Sequence, residues 1–175
     1  MPDKASVFIS YSRRDKAFAE ALHAAFQRTA RKAWLDSEDI HPTARWSNEI
    51  AAAIDGADVI IFVLSPDFAA SAECAKEIAH AAQQNKRLIP VVARPVEPRT
   101  VPTALAELQW ISFVDEARFE TMFETLSQAI DTDLAWVSEH TRYHLRAVAW
   151  DAKGRPVSLV LRGQELKQAE RWLAE

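Results

Sequence analysis

The sequence predicts an α/β protein in which helices cover both faces of a five-stranded parallel sheet. Short apolar runs alternate with segments whose apolar residues recur at helical spacing, and this alternation is typical of successive βα units. One run, residues 59–64, is apolar at every position, as expected of a central strand buried on both faces. After about residue 130 the alternation stops, and the pattern predicts helices only.

The apolar runs predict strands at residues 7–11, 32–36, 58–64, 87–93 and 110–113. Between the first two strands, Phe18, Leu22, Ala25 and Phe26 have the spacing of one helix face. A second helix is expected around residues 46–54, and a helix over about residues 116–130 closes the sheet unit.

The third helix has a clear start signal. A serine cap followed by proline at the first helical position begins many helices, and Ser65-Pro66 has this pattern directly after the third strand. We expect this helix to run to about Gln84. In the fourth strand Pro90 predicts a bulge or a strand end, because proline cannot donate a backbone hydrogen bond.

The C-terminal residues predict a separate helical segment. Residues 131–151 have helical spacing, residues 153–156 predict a turn, and residues 164–173 predict a last short helix. We therefore expect residues 1–130 to form one domain, and residues 131–175 to form a helical extension or a linker to a further domain. A segment of about 45 residues is too small for its own core, so it should pack on the main domain.

Composition excludes several function classes. Among the 175 residues, 49% are hydrophobic and 26% are charged, with a net charge of -4 and no basic stripe for nucleic acid. The chain has three glycines, and neither a GxGxxG nor a GxxxxGK(S/T) phosphate loop occurs in the sequence, which excludes a Rossmann dehydrogenase or a P-loop NTPase within this chain. A single cysteine and the absence of a long apolar run predict a cytoplasmic protein without disulfides or membrane contact.

A site is expected beyond the carboxyl ends of the strands. In a flavodoxin-like sheet with strand order 2-1-3-4-5, ligands bind where the order reverses, between the loops after the first and third strands. These loops are residues 11–15 and 65–68, and the loop of residues 36–46 flanks them. The third helix should bring further polar groups to the same end, namely Ser71, Glu73, Cys74 and Glu77.

Each charged candidate also has a simpler interpretation. Glu73 and Glu77 lie four residues apart on one helix face, and their mutual repulsion suits a general acid and base, although such pairs are common on helix surfaces. Arg13 and Arg14 suit a phosphate clamp, but two charged residues in a loop are more often simply solvated.

The remaining candidates favour structural roles. Cys74 has no predictable histidine partner and is expected in the core. His140 and His144 have the spacing of a zinc pair but no third ligand, so we expect no metal site and a solvated helix face. Asp36 has the residue type of the phosphoacceptor of a receiver domain. That acceptor follows the third strand, whereas Asp36 ends the second, so a receiver domain is not predicted.

Four motifs follow one another in a characteristic order. They are VFISYS at residues 7–12, WLD at residues 34–36, LSP at residues 64–66, and the stretch that joins Ser71, Cys74 and Glu77. In this order they resemble the TIR domain family over about residues 5–130. The tail, with residues 140–142 and 158–163, is similar to the segment after TIR domains in bacterial multidomain proteins, where an NTPase and often WD40-type repeats follow.

The resemblance implies a function. Enzymatic TIR domains cleave the nicotinamide–ribose bond of NAD+, and some cyclise the product; their key glutamate corresponds to Glu77. NAD+ would be the substrate, and no further cofactor is implied. The resemblance and the predicted crevice together suggest these substrate-binding residues: Tyr11, Ser12, Arg13, Asp36, Trp46, Ser65, Ser71, Glu73 and Cys74.

Two functions from different classes stay open. The first is an NAD+ glycohydrolase or cyclase that acts as an effector in bacterial signalling or antiphage defence, and Glu77 favours it. The second is a non-catalytic scaffold for TIR–TIR assembly. Glu73 favours the scaffold, because enzymatic members often carry an aromatic residue at this position. For either function the resemblance implies self-association, through the loop of residues 37–45.

Overall fold

The computed structural model describes residues 4–35, 44–132 and 134–174, with the side chains of residues 44–47 and 134 left out. Its centre is a five-stranded parallel sheet in the order β2-β1-β3-β4-β5, which confirms the predicted fold. The strands are β1 (Val7–Ser10), β2 (Ala33–Leu35), β3 (Val59–Leu64), β4 (Arg87–Val92) and β5 (Ile111–Ser112).

Eight α-helices are present in the part of the chain that the structure describes. They are α1 (Lys16–Arg28), α2 (Ala44–Gly56), α3 (Pro66–Ala69), α4 (Ala72–Gln83), α5 (Thr103–Ala106), α6 (Phe119–Asp131), α7 (Leu134–Ala152) and α8 (Gly163–Ala174). Helices α1 and α6 cover one face of the sheet. Helices α2, α3, α4 and α5 cover the other face.

The two core clusters meet at β3. Its residues 59, 61 and 63 pack in the cluster with α1 and α6, whereas residues 60, 62 and 64 pack with α2 to α5. All six residues are buried. The continuous apolar run therefore reflects burial on both faces, as the sequence predicted.

The third predicted helix is two helices, α3 and α4. Ser65 caps α3 by accepting a hydrogen bond from the Phe68 amide at 3.0 Å. Ser71 then caps α4 by accepting one from the Cys74 amide at 3.2 Å. Each serine satisfies an amide at a helix start, so the second cap begins a new helix where one continuous helix was expected.

Pro90 forms neither a bulge nor a strand end, which corrects that prediction. The register between β3 and β4 is unbroken, and Pro90 lies opposite Phe62. The edge strand β5 pairs with β4 at residues 91 and 92 alone. Proline is tolerated because no amide from position 90 is needed on that side.

The C-terminal helices pack outside the sheet. Val137 of α7 joins the core cluster of α1 and α6. The Thr141 hydroxyl of the same helix donates to the Ala57 carbonyl at 3.4 Å. Helix α8 contacts α7 through Trp172, whose indole nitrogen donates to the Trp136 carbonyl at 3.1 Å. Helix α7 thus forms a layer between the sheet domain and α8.

Phe62→Ala tests the central packing of β3. Phe62 is fully buried, and its ring lies 6.0 Å from that of Phe68. We expect the substitution to lower the free energy of unfolding by about 3–5 kcal/mol, because it leaves a cavity between sheet and helix. Urea unfolding measures this change. Leu108→Ala, at an exposed position, is the control and should change it by about 0.5 kcal/mol or less; equal losses in both variants would contradict the assignment.

Candidate functional site

An ion-pair network around the buried Asp15 side chain holds the loops at the carboxyl ends of the strands together. The Ser65 hydroxyl, after β3, donates to Asp15 at 2.5 Å. Arg94, after β4, donates to Asp15 at 2.8 Å and to Asp67 at 2.5 Å. Arg94 lowers the pKa of the Asp67 carboxyl below its usual value by hydrogen bonding. The loops after β1, β3 and β4 are therefore fixed relative to one another.

Three predicted substrate-binding residues lie beside this network. Ser65 is fully buried, and its hydroxyl both caps α3 and bonds Asp15. Tyr11 is buried in the core cluster of α1 and α6. Ser12 is half-buried, and its carbonyl accepts the Asp15 amide at 2.7 Å. Arg13, a fourth predicted residue, is exposed in the same loop.

A cleft between α2 and α4 contains the predicted catalytic glutamate. Its volume is about 160 Å³. Ile50 and Ile54 of α2 form an apolar wall, and Glu73, Glu77 and His80 of α4 line the other side. The Glu77 side chain is 5% exposed, so this carboxylate is largely screened from solvent.

Glu73 and Glu77 have different surroundings within this cleft. Glu73 is 46% exposed, and its carboxylate accepts a hydrogen bond from Lys76 at 2.8 Å. Its negative charge is balanced at the rim, whereas Glu77 lies deeper. The two carboxylates are therefore not equivalent, and Glu77 is the one suited to act on a bound group.

The other predicted residues are distributed as follows. Ser71 caps α4, and Cys74 is fully buried in the apolar cluster of that helix. Asp36 lies outside the described residues. Trp46 lies in α2, but its side chain is not described. Among the predicted residues whose side chains are described, only Glu73 and Glu77 line the cleft.

A larger groove lies elsewhere, between α7 and α8. Its volume is about 510 Å³, and its walls are mostly apolar, with Tyr143, Trp150 and Trp172 among them. None of the predicted site residues lines it. Because acid–base or electrostatic chemistry needs a positioned charge, the smaller cleft with the buried Glu77 is the better candidate despite its size.

Sequence reasoning missed a polar cluster at one end of this cleft. The His80 imidazole nitrogen Nε2 lies 2.8 Å from Asp55 Oδ1, at the end of α2. His144 of α7 approaches the same oxygen at 3.3 Å. The three-residue spacing of Glu77 and His80 is the one sequence signal that could have indicated His80, since it places both on one helix face.

The prediction of a solvated face for His140 and His144 is wrong. The two rings stack at 6.1 Å, and Trp136 stacks on His140 at 5.6 Å. Burial lowers the pKa of His140, and the positive charges of Lys86 and His144 lower it further. Tertiary contacts with α2 and α8, which helical periodicity does not show, cover this face.

Lys86 binds the backbone at the end of α2, next to the same cluster. Its ammonium group donates to the Asp55 carbonyl at 2.6 Å and to the Ala57 carbonyl at 3.0 Å. Burial lowers the pKa of Lys86 to about 8, although Asp55 and Asp58 oppose the shift. A cation at the carboxyl end of α2 also interacts favourably with the helix dipole.

The described residues contain no metal centre and no membrane-spanning helix. Within residues 4–35, 44–132 and 134–174, no group of three or more histidine, cysteine, aspartate or glutamate side chains is arranged to hold a metal ion. No helix in those ranges combines the length and the apolar content needed to cross a bilayer.

The fold and the cleft define an α/β module of the flavodoxin-like type, with a buried glutamate on α4, the second helix after its third strand. A profile of the TIR domain matches residues 7–127, so the chain belongs to the TIR domain family. Members of this family act in signalling, commonly self-associate, and include NAD+-cleaving enzymes. No curated protein is significantly similar to the chain in sequence.

Solved structures share this fold. The TIR domain of the Toll-related receptor TRR-2 from Hydra magnipapillata is similar with a TM-score of 0.61 and 24% identity, over 73% of this chain and 98% of that one. A TIR-STING receptor from C. gigas is similar with a TM-score of 0.57 and 22% identity, over 75% of this chain and 41% of that one. A 2-desoxiribosyltransferase from Leishmania mexicana is similar with a TM-score of 0.50 and 17% identity, over 69% of this chain and 97% of that one. At these identities the likeness shows the fold alone.

Lys86→Met tests the buried ammonium group. The pKa of Lys86 is about 8 when folded, against an ordinary value of 10.5, so the unfolded chain binds more protons between these pH values. The free energy of unfolding of the wild type should therefore rise, relative to that of the variant, as the pH increases from about 8 to about 10.5. Chemical denaturation across this range measures the difference.

A matched control replaces an exposed lysine. Lys153 lies in the turn after α7 and is exposed. Lys153→Met should show a pH-independent difference from the wild type over the same range. A flat difference for Lys86→Met as well would contradict the shifted pKa.

Proposed function

We propose that this TIR domain is an NAD+ glycohydrolase or cyclase in which Glu77 stabilises the transition state. The observation that supports this proposal is the burial of Glu77 on the wall of a cleft. A charged carboxylate is costly to bury, and buried carboxylates are concentrated at functional sites. Membership of a family that includes NAD+-cleaving enzymes gives this glutamate a specific chemistry.

The chemistry explains how one carboxylate suffices. When the bond between the ribose C1′ atom and the nicotinamide nitrogen breaks, its electron pair leaves with nicotinamide, which departs as a neutral base. No general acid is needed for the leaving group. Positive charge develops on the ribose, and a carboxylate close to it lowers the barrier electrostatically. Water then adds to C1′ and releases a proton to give ADP-ribose, or the adenine ring adds instead and gives a cyclic product.

The size of the cleft limits what it holds. At about 160 Å³ it is smaller than the 300–1,000 Å³ of usual ligand pockets. Only the reacting end of NAD+ would enter it, between the apolar wall of Ile50 and Ile54 and the carboxylate of Glu77. The remainder of the dinucleotide would lie outside, where residues 11–13 are candidates to contact it.

A second function has an observation in its favour. Glu73 stands where enzymatic TIR domains often have an aromatic residue that stacks on nicotinamide, and its charge is paired with Lys76. This arrangement favours a TIR–TIR scaffold without turnover. Release of nicotinamide from NAD+ by the purified protein distinguishes the two functions.

In either role we propose a cytoplasmic effector that acts in bacterial signalling or antiphage defence, joined to further NTPase or repeat domains.

Glu77→Gln tests the catalytic assignment. Glutamine keeps the shape of the side chain and removes its charge, so the charge stabilisation made in the transition state is lost. We expect kcat for nicotinamide release to fall at least about a hundredfold, about 3 kcal/mol, with a much smaller change in KM. Glu20→Gln, at an exposed position of α1, is the control and should keep wild-type turnover. Wild-type turnover in a folded Glu77→Gln protein would refute the role.

Self-association provides a second test. We propose that residues 37–43 of one subunit, together with the start of α2 that contains Trp46, complete the nucleotide site of its neighbour. We expect an interface formed by one short segment to be small and therefore weak, so specific activity should rise with protein concentration over a hundredfold dilution series. Trp46→Ala should flatten or lower this curve. Constant specific activity in both proteins would show that one domain holds a complete site.

A further inference from the structure

The C-terminal helices contact the Glu77 cleft through one shared carboxylate. Asp55 lies in the last turn of α2 and is 15% exposed. Its Oδ1 atom forms a hydrogen bond with His80 on α4 at 2.8 Å. The Nε2 atom of His144 on α7 lies 3.3 Å from the same oxygen, a close contact without hydrogen-bond geometry. A carboxylate only accepts hydrogen bonds, so the Nε2 atom of His80 carries the proton directed at Asp55. Asp55 thus lies between the cleft and the extension.

The cleft side of this contact is His80. It lies three residues after Glu77, on the same face of α4, and lines the same cleft. Its imidazole is held at Asp55 by the 2.8 Å contact. Without Asp55 in place, the ring has rotamer freedom to turn into the cleft or out of it.

The extension side of this contact is a stack of rings. Trp136, His140 and His144 follow one another along α7, with centroid distances of 5.6 Å and 6.1 Å. Trp172 of α8 lies 5.2 Å from Trp136 and 6.1 Å from His140. The stack fixes the position of His144, and through it the contact with Asp55.

Helix α7 is held on the sheet domain by few buried groups. Among the α7 side chains that the structure describes, only those of Val137 and Thr141 are buried. Elements with little buried surface undock at low free-energy cost and are common in regulatory switches. If α7 undocks, Asp55 loses its contact with His144. The hydrogen bond from Thr141 to the nearby Ala57 carbonyl is lost at the same time.

We propose that the C-terminal extension controls the Glu77 cleft: docked α7 packs the His144 ring against the Asp55 carboxylate and so confines it, and Asp55 holds His80 on the cleft wall by a hydrogen bond. This regulation rests on the proposed function of the cleft. His144 is a positioning residue, because it acts through Asp55 and His80 and does not line the cleft. A partner that moves α7 or α8 would change substrate binding next to Glu77 without touching the substrate.

His144→Ala tests this proposal, with two readouts. The first is the nuclear magnetic resonance signal of the His80 ring at fixed pH in the histidine-labelled full chain, assigned by its loss in His80→Asn. We expect this signal to shift in His144→Ala, because Asp55 is no longer held. The second is steady-state cleavage of NAD+, in which KM should rise about tenfold while kcat changes less than about threefold.

Two further variants separate positioning from a general loss of stability. His144→Gln keeps a polar side chain of sufficient length to contact Asp55, and it should return KM to within about threefold of wild type. Leu145→Ala removes an exposed side chain of the same helix and should leave both readouts unchanged. Equal effects of His144→Ala and Leu145→Ala would overturn the proposal.

The outcomes also separate this proposal from the catalytic one. An unshifted His80 signal in His144→Ala overturns the control of the cleft by α7, whatever the activity. A shifted signal with an unchanged KM in an active protein overturns the regulation. If the His80 signal shifts in His144→Ala but the wild-type protein cleaves no NAD+ at any protein concentration, the result supports the coupling of α7 to the cleft and refutes the glycohydrolase.

Discussion

Strand β3 is buried between β1 and β4 along the sheet and between two helical layers across it. Its alternate side chains need an apolar partner on each face, so helices must pack on both sides of the sheet. The layer that contains α2 and α4 follows from this requirement. The cleft beside Glu77 exists because these two helices lie next to each other over one face of β3.

Most polar residues in the family motifs have structural tasks here. Ser65 and Ser71 cap helices, and Cys74 fills the core. Asp15 accepts bonds from two loops and fixes the carboxyl end of the sheet. These groups form the frame from which α4 begins. Glu77 differs from them because it lies beside an open space, and a rigid frame is what a precisely placed charge requires.

The end of α2 has a second role besides completing that helix. Its carbonyl groups at residues 55 and 57 accept hydrogen bonds from Lys86, and the carbonyl of residue 57 also accepts one from Thr141. Two imidazoles meet the Asp55 side chain. Polar groups from three helices thus converge where a helix end leaves carbonyl groups unsatisfied. The end of α2 and the docking of the C-terminal extension therefore depend on the same carbonyl groups and on the Asp55 side chain.

The sequence by itself determined the strands and placed Glu77 in the helical segment that follows β3, because apolar periodicity and serine caps act over a few neighbouring residues. The strand order came with the predicted flavodoxin-like class and not from these local signals. The same local signals could not show that Ser71 begins a second helix, or that Pro90, which lies opposite Phe62 of β3, has no partner residue in β5. They also placed His140 and His144 on a solvated face. Only the tertiary structure brought His144 to Asp55, since residues far apart in the chain meet through packing, which no spacing along the sequence encodes. For the same reason the depth of Glu77 relative to Glu73, on which the proposed chemistry depends, was decided by the position of α2 and not by the four residues between them.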